Sequence, residues 1–201
     1  MTDLMTRRTL LRRSAAGAVV LSVGGLFTWR ELLTDDPVEA ESSDGATTSL
    51  GLTDNNTVAI GQPAPNFILP TLTGDPIDTA DYRGKTLVLN FWASWCPPCR
   101  AEMPELQALH QERQATGDLV VLGINFLSQD TIEAAASFAD EFQLTLPVVT
   151  GMPDASVAER YGVRGLPATF FIDRNGILRK TNLGPVFGDL LADGVAAADS
   201  A

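Results

Sequence analysis

Two cysteines separated by two prolines, Cys96 and Cys99, stand in the stretch FWASWCPPCRAEMPEL and are the only cysteines of this 201-residue chain. With a single histidine in the sequence, Cys and His side chains cannot complete the usual tetrahedral ligand set of zinc. A purely structural disulfide is also disfavoured, because a bridge over so short a loop constrains the unfolded chain little. The spacing therefore favours reversible thiol–disulfide chemistry at this pair.

A strand followed by a helix is predicted to position the two thiols. TLVLNFWAS, from Thr86 to Ser94, is an almost continuous apolar run, typical of a central strand covered on both faces. Helical spacing follows, and Pro97 and Pro98 suit a first turn, whose amides have no intrahelical partner to lose. Cys96 therefore lies where a helix begins, and the positive end of the helix dipole stabilises a thiolate there. We expect Cys96 to be the more exposed, attacking thiol and Cys99 the buried, resolving one.

The rest of the chain alternates strands and helices. DLVVLGINF predicts a second strand, DTIEAAASFADEF a helix, LPVVT a short strand and DASVAERYGV another helix. LPATFFID and ILRKTNLG then predict two strands joined by a turn at RNG. This order predicts an α/β fold in which helices cover a sheet.

Three stretches carry a resemblance to a known family: FWASWCPPC, GLPATFFIDRNG and the leading IGQPAPNFILPTLTGDPI. In this order they resemble the thioredoxin superfamily, and within it the TlpA/ResA branch (DsbE/CcmG-like) of membrane-tethered thiol–disulfide oxidoreductases. The similarity runs from Val58 to the C-terminus. It implies an α/β thioredoxin fold with an N-terminal β extension and a central insertion, which we place between Phe126 and Thr145.

The resemblance also implies roles for residues outside the cysteine pair. Pro167 matches a proline that the superfamily holds in the cis form opposite the cysteines, where it aims the backbone of Leu166 at a substrate chain; the alternative is an ordinary trans proline before a strand. Glu102 matches an acid of ResA-like proteins that relays the proton of Cys99, and the alternative is an exposed acid in the first turn. Asn90 replaces the buried aspartate of classical thioredoxins and cannot titrate, which leaves Glu102 as the candidate relay.

The rim of the cysteine pair supplies the candidate substrate contacts: Trp95, Pro97, Pro98 and Leu166. Trp95 is interpreted as a contact platform and Trp92 as a core residue. His110, about three turns beyond Cys96, is interpreted as a surface or packing residue.

The N-terminus has the charge pattern of an exported protein. Arginines precede the uncharged run from Ser14 to Trp29, and acids follow it. TRRTLLR also resembles a twin-arginine export signal. We expect residues 1–30 to be an export signal or membrane anchor, residues 31–57 an acidic flexible linker, and residues 58–201 the thioredoxin-like domain. An uncleaved single-pass anchor in the cell membrane is favoured over a signal cleaved near Val38–Ala40, and both place the domain outside the cytoplasm.

These features together predict a reductant of disulfides in exported proteins, apocytochrome c among them, that takes electrons from a membrane thiol donor. Neither a cofactor nor a metal is expected. The formal net charge of −11 argues against nucleic acid as a partner. Two alternatives stay open. Peroxiredoxins share the fold but need a threonine three residues before the reactive cysteine, where this chain has Ala93. A non-catalytic copper carrier would use two thiolates on Cu(I) without the histidine of Sco-like proteins.

Overall fold

A five-stranded mixed sheet organises the computed structural model, which describes residues 57–150 and 156–200. In chain order the elements are β1 (Ile68–Pro70), β2 (Pro76–Asp78), β3 (Thr86–Trp92), α1 (Pro97–Gln114), β4 (Leu119–Asn125), α2 (Ile132–Glu141), β5 (Val148–Thr150), α3 (Ser156–Tyr161), β6 (Ala168–Ile172), β7 (Leu178–Leu183) and α4 (Asp189–Asp199). Short 3-10 turns cover Thr79–Tyr82 and Leu127–Gln129.

The central strand of the sheet is β3, as the apolar run predicts. The strand order is β5-β4-β3-β6-β7, with β4 parallel to β3 and β5, β6 antiparallel to β3, and β7 antiparallel to β6. Every residue of β3 is buried, because helices or loops cover both faces of the sheet. The α/β thioredoxin fold is therefore confirmed.

Alternate residues of β3 divide the core into two apolar clusters, one on each face of the sheet. Val88 and Trp92 belong to the cluster that α1, α2 and α4 cover, and both cysteines lie in it. Leu87, Leu89 and Phe91 belong to the other cluster, which α3 and the N-terminal hairpin cover.

Two expected additions to the basic fold are present. The N-terminal β extension is the hairpin of β1 and β2, in which Leu69 pairs with Ile77. The central insertion holds the 3-10 turn after β4 and then α2, which Thr131 caps by accepting a hydrogen bond from the Ala134 amide. The C-terminal helix α4 was not predicted. It begins after Gly188, which has a φ of 56° and no side-chain cap, so the sequence lacks the usual start signal.

None of the helices found in residues 57–150 and 156–200 has both the length and the apolar character that crossing a bilayer requires. The predicted export signal or anchor, and all of the predicted linker except Thr57, lie outside the described residues.

Candidate active site

The cysteine pair lies at the junction between β3 and α1. Cys96 is the N-cap residue of α1, and its Sγ accepts a hydrogen bond from the Cys99 amide at 3.3 Å. The two sulfur atoms are joined in a disulfide of 2.06 Å, so the structure shows the oxidised form. Pro97 and Pro98 occupy the first two helical positions, as the sequence predicts. Because prolines have no N–H group, the Cys99 amide is the helix-terminal donor that reaches the sulfur of Cys96, and the positive end of the helix dipole lies beside it.

The expected difference in exposure between the two thiols is small in this oxidised form. Cys96 is 2% exposed and Cys99 is fully buried. Both side chains belong to the apolar cluster beneath α1, which accounts for the low exposure of Cys96.

Pro167 lies near the cysteine-bearing end of β3, just before the neighbouring strand β6. The Leu166–Pro167 peptide bond is cis, and Pro167 directly precedes β6. Ala168 pairs with Phe91 near the end of β3, so the sheet register brings the proline to the edge from which the chain continues to Cys96. Leu166 is half-buried beside it.

Glu102 is a fully buried carboxyl on α1, so the alternative interpretation as an exposed first-turn acid is wrong. Its Oε1 accepts a hydrogen bond from Nδ2 of Asn90 at 2.7 Å, and its Oε2 accepts one from the Val186 amide at 2.6 Å. Burial raises the pKa of Glu102 to about 7, although both hydrogen bonds act in the opposite direction. Asn90 also donates to Oγ1 of Thr169, which ties the carboxyl to β6.

The predicted substrate contacts form a partly exposed rim. Trp95 is 53% exposed, Pro97 is exposed and Pro98 is half-buried. Two of these contacts, Trp95 and Leu166, also line a cleft of about 200 Å³ together with Phe126, Gln129, Val163, Arg164 and Gly165. Trp92 is fully buried and packs against Phe138 with ring centroids 4.4 Å apart, which agrees with its interpretation as a core residue.

Several residues near the cysteines were not found from the sequence. The Val186 amide reaches Glu102 across 84 positions of sequence, and no local pattern indicates that contact. Asp130 accepts a hydrogen bond from Ser94 in the loop before Cys96. In the sequence it directly precedes Thr131, the cap of α2, and that position indicates only the start of a helix. His110, by contrast, is interpreted from the sequence as a surface or packing residue, and its side chain on α1 is buried near Thr145.

Nothing in the part of the chain that the structure describes groups three or more His, Cys, Asp or Glu side chains in a way that could hold a metal ion. Once reduced, the thiols of Cys96 and Cys99 are two soft ligands that lie close together.

Comparison with known proteins places this geometry in a family. The AhpC/TSA family model matches residues 60–181. The thiol-disulfide oxidoreductase ResA of Geobacillus thermodenitrificans is 40% identical over 132 residues, which cover 66% of this chain and 74% of that protein. The thiol:disulfide interchange protein DsbE of Pseudomonas fluorescens biotype C is 37% identical over 139 residues, which cover 69% and 74%. The crystal structure of a secreted Mycobacterium tuberculosis disulfide oxidoreductase matches with a TM-score of 0.55 and 32% identity, covering 65% of this chain and 95% of that chain.

The fold and the Cys96–Cys99 pair thus define a thioredoxin-like protein, and the chain belongs to the AhpC/TSA family. With relatives named ResA and DsbE, it is a thiol–disulfide oxidoreductase that acts on disulfide-containing substrates.

Proposed function

We propose that this protein reduces disulfides in exported proteins, apocytochrome c among them, outside the cytoplasm. The observation that carries the proposal is the position of the Cys96 sulfur, which caps α1 and accepts the Cys99 amide hydrogen bond. Helix-terminal amides stabilise a thiolate more than a thiol, and the thiolate is the form that attacks a disulfide.

The reaction consumes the reduced dithiol in two steps. The thiolate of Cys96 attacks one sulfur of the substrate disulfide, which forms a mixed disulfide and releases the other substrate sulfur as a thiolate. The thiol of Cys99 then loses its proton and attacks the sulfur of Cys96, which releases the second substrate thiolate. Two electrons pass to the substrate, and the protein ends in the disulfide form that the structure shows.

Glu102 is the proposed acceptor of the proton that Cys99 loses. It lies three residues after Cys99 on α1, so the two side chains share one face of the helix, and both are fully buried. A carboxyl with a pKa of about 7 can take up and return a proton near neutral pH. The neutral side chain of Asn90 orients this carboxyl instead of competing with it for the proton.

The proposed direction of net electron flow is reduction of the substrate. Prolines at both positions between the cysteines and the lack of a histidine there give the thiolate only modest stabilisation, so the reduced form is not strongly favoured. We therefore expect a midpoint nearer the about −270 mV of thioredoxin than the about −120 mV of a strong oxidant. Equilibration with glutathione buffers checks this, and a midpoint at the oxidising end contradicts it.

The location and the partners rest on the sequence. The arginine-rich N-terminus and the apolar run from Ser14 to Trp29 support a single-pass anchor with the domain outside the cytoplasm, where a membrane thiol donor would regenerate the dithiol. The secreted relative from Mycobacterium tuberculosis supports the same side of the membrane. Protease treatment of intact cells of the native host tests it: an anchored external domain is digested while cytoplasmic proteins survive.

Trapping of the substrate tests the proposal as a whole. In a Cys99→Ala variant the mixed disulfide on Cys96 cannot be resolved, so we expect adducts that disappear on treatment with a reductant. Exported proteins, with c-type cytochrome precursors among them, are the expected partners. The Cys96→Ala variant is the matched control and should trap nothing. Equal recovery from both variants, or no adduct from either, would contradict the proposal.

A further inference from the structure

One carboxylate of the insertion holds the loop that leads into Cys96. Asp130 lies between the 3-10 turn that follows β4 and the cap of α2, and it accepts two hydrogen bonds from Ser94. The Ser94 amide donates to Oδ2 at 2.6 Å, and the Ser94 hydroxyl donates to Oδ1 at 2.7 Å. The loop between β3 and α1 is thus bound at its centre by a residue 36 positions away.

The same carboxylate is fixed from its other side. Nδ2 of Asn125, at the end of β4, donates to Oδ2 at 2.8 Å, and the Thr131 amide donates to Oδ1 at 2.9 Å. Among the residues that the structure describes, these donors are all neutral and no ion pair involves Asp130. Burial raises the pKa of Asp130, but the hydrogen bonds outweigh it and hold the pKa below its ordinary value, so the group is ionised at neutral pH.

Two further hydrogen bonds join the same two segments. The Phe126 amide donates to the carbonyl of Trp92 at 2.9 Å, and Nε1 of Trp95 donates to the carbonyl of Gln129 at 2.6 Å. Residues 126–130 therefore contact the last residue of β3, Trp92, as well as Ser94 and Trp95 in the loop that follows. Trp95 is half-exposed and follows Ser94 directly, so the orientation of its indole depends on how firmly this loop is held.

The cleft that Trp95 lines is built in part from the segments that Asp130 joins. Trp95 forms one wall, Phe126 and Gln129 come from the insertion, and Leu166 comes from the segment that carries the cis peptide bond. We propose that Asp130 is a positioning residue: it holds the loop at Ser94 so that Trp95 presents a fixed wall to a substrate peptide bound beside Cys96. This inference rests on the proposed function and adds a determinant of substrate affinity to it.

Kinetics with two disulfides of different size separate this role from a general structural one. The full chain, regenerated by dithiothreitol with the uncatalysed rate subtracted, is assayed with a synthetic peptide that carries one intramolecular disulfide, and with hydroxyethyl disulfide, which has no peptide chain for the cleft to bind. For Asp130→Ala we expect KM for the peptide to rise about tenfold, equivalent to about 1.4 kcal/mol, with kcat changed by less than about twofold. The rate constant with hydroxyethyl disulfide should stay within about twofold of the unsubstituted protein.

Matched variants sharpen the test. Asp140→Ala removes the same carboxylate from an exposed position on α2 and should leave both substrates unaffected. Asp130→Asn keeps one oxygen that can accept from the Ser94 amide, so its KM should lie between those of the unsubstituted protein and Asp130→Ala; it also serves if Asp130→Ala does not fold. In a Trp95→Ala background, Asp130→Ala should raise KM by less than about twofold, because the contact that it orients is already gone.

The outcomes distinguish the two proposals. If the unsubstituted protein reduces neither disulfide, the proposed function fails. If it reduces both and Asp130→Ala leaves the peptide KM unchanged, or lowers the rates with both disulfides equally, the assignment of Asp130 is overturned while the proposed function stands. A KM effect of the same size with and without Trp95 would also overturn it.

Discussion

The buried carboxyl of Glu102 should make the stability of the folded protein depend on pH. Its pKa is raised from 4.5 to about 7 in the folded protein, so between these values the folded state binds a proton that the unfolded chain has already lost. Binding of this proton stabilises the folded state fully below pH 4.5, and the stabilisation is lost as the pH rises through about 7. At about 1.4 kcal/mol per pH unit, this group alone lowers the free energy of unfolding by about 3 kcal/mol across that interval.

Glu102→Gln isolates this contribution. The glutamine side chain is neutral at every pH and has nearly the same shape, and its oxygen can still accept the hydrogen bond from Val186. Oδ1 of Asn90 has no partner among the described residues, so rotation of the Asn90 amide provides an acceptor for the new NH₂ group. The variant should therefore fold, and its stability should lack the decline that Glu102 causes.

Urea unfolding of the oxidised protein measures the effect, because the cysteines do not titrate while they are joined. The difference in free energy of unfolding between Glu102→Gln and the unsubstituted protein should grow by about 3 kcal/mol from about pH 4 to about pH 8. Other titrating groups cancel in that difference. Glu112→Gln, the same change at an exposed position of α1, controls for the substitution itself. A difference that stays constant with pH would refute the buried, proton-binding carboxyl.

Three further predictions concern the core and the competing chemistry. Gly194→Ala on α4 should destabilise the fold by about 1–3 kcal/mol in urea unfolding, because the added Cβ would lie 2.2 Å from the ring of Phe171. A Cβ added at Gly165 would have nothing within 4 Å, so Gly165→Ala should change stability little. Equal losses of stability in the two variants would contradict this packing. Burial lowers the pKa of His110 in the folded protein, so on acidification the unfolded chain binds this proton at a higher pH than the folded protein does. The free energy of unfolding therefore falls as the pH drops below 6.5. His110→Gln should reduce that fall, and an unchanged fall would contradict the burial of this imidazole. The reduced protein should show no thiol-dependent consumption of hydrogen peroxide, since no threonine precedes Cys96 by three residues; sustained turnover would favour the peroxidase alternative.

Local sequence signals predicted the parts of the site that neighbouring residues determine. The apolar run of β3 and the proline pair at the start of α1 place Cys96 at a helix terminus without any distant contact. Hydrophobic periodicity and turn residues are properties of short windows, so they report on elements of this kind.

Contacts between distant segments could not be predicted in this way. The Val186 amide on Glu102 and the Asp130 carboxylate on Ser94 each depend on how loops pack after the sheet has formed. The helix α4 was missed for a related reason. Gly188 stands where a capping side chain is usual, and Gly194 lowers the helix propensity of the segment. The ring of Phe171 leaves no room for a larger residue than glycine at position 194. Tertiary packing decides these features.

The reactivity of Cys96 in the reduced protein tests the central claim most directly. The rate of alkylation by iodoacetamide is measured against pH, mass spectrometry identifies the modified cysteine, and a cysteine in a denatured peptide gives the reference. The helix N-terminus should lower the pKa of Cys96 below the about 8.5 of a free cysteine, so Cys96 should react faster than the reference at neutral pH and before Cys99. A Cys96 that reacts no faster than the reference, or only after Cys99, would contradict its assignment as the attacking thiol.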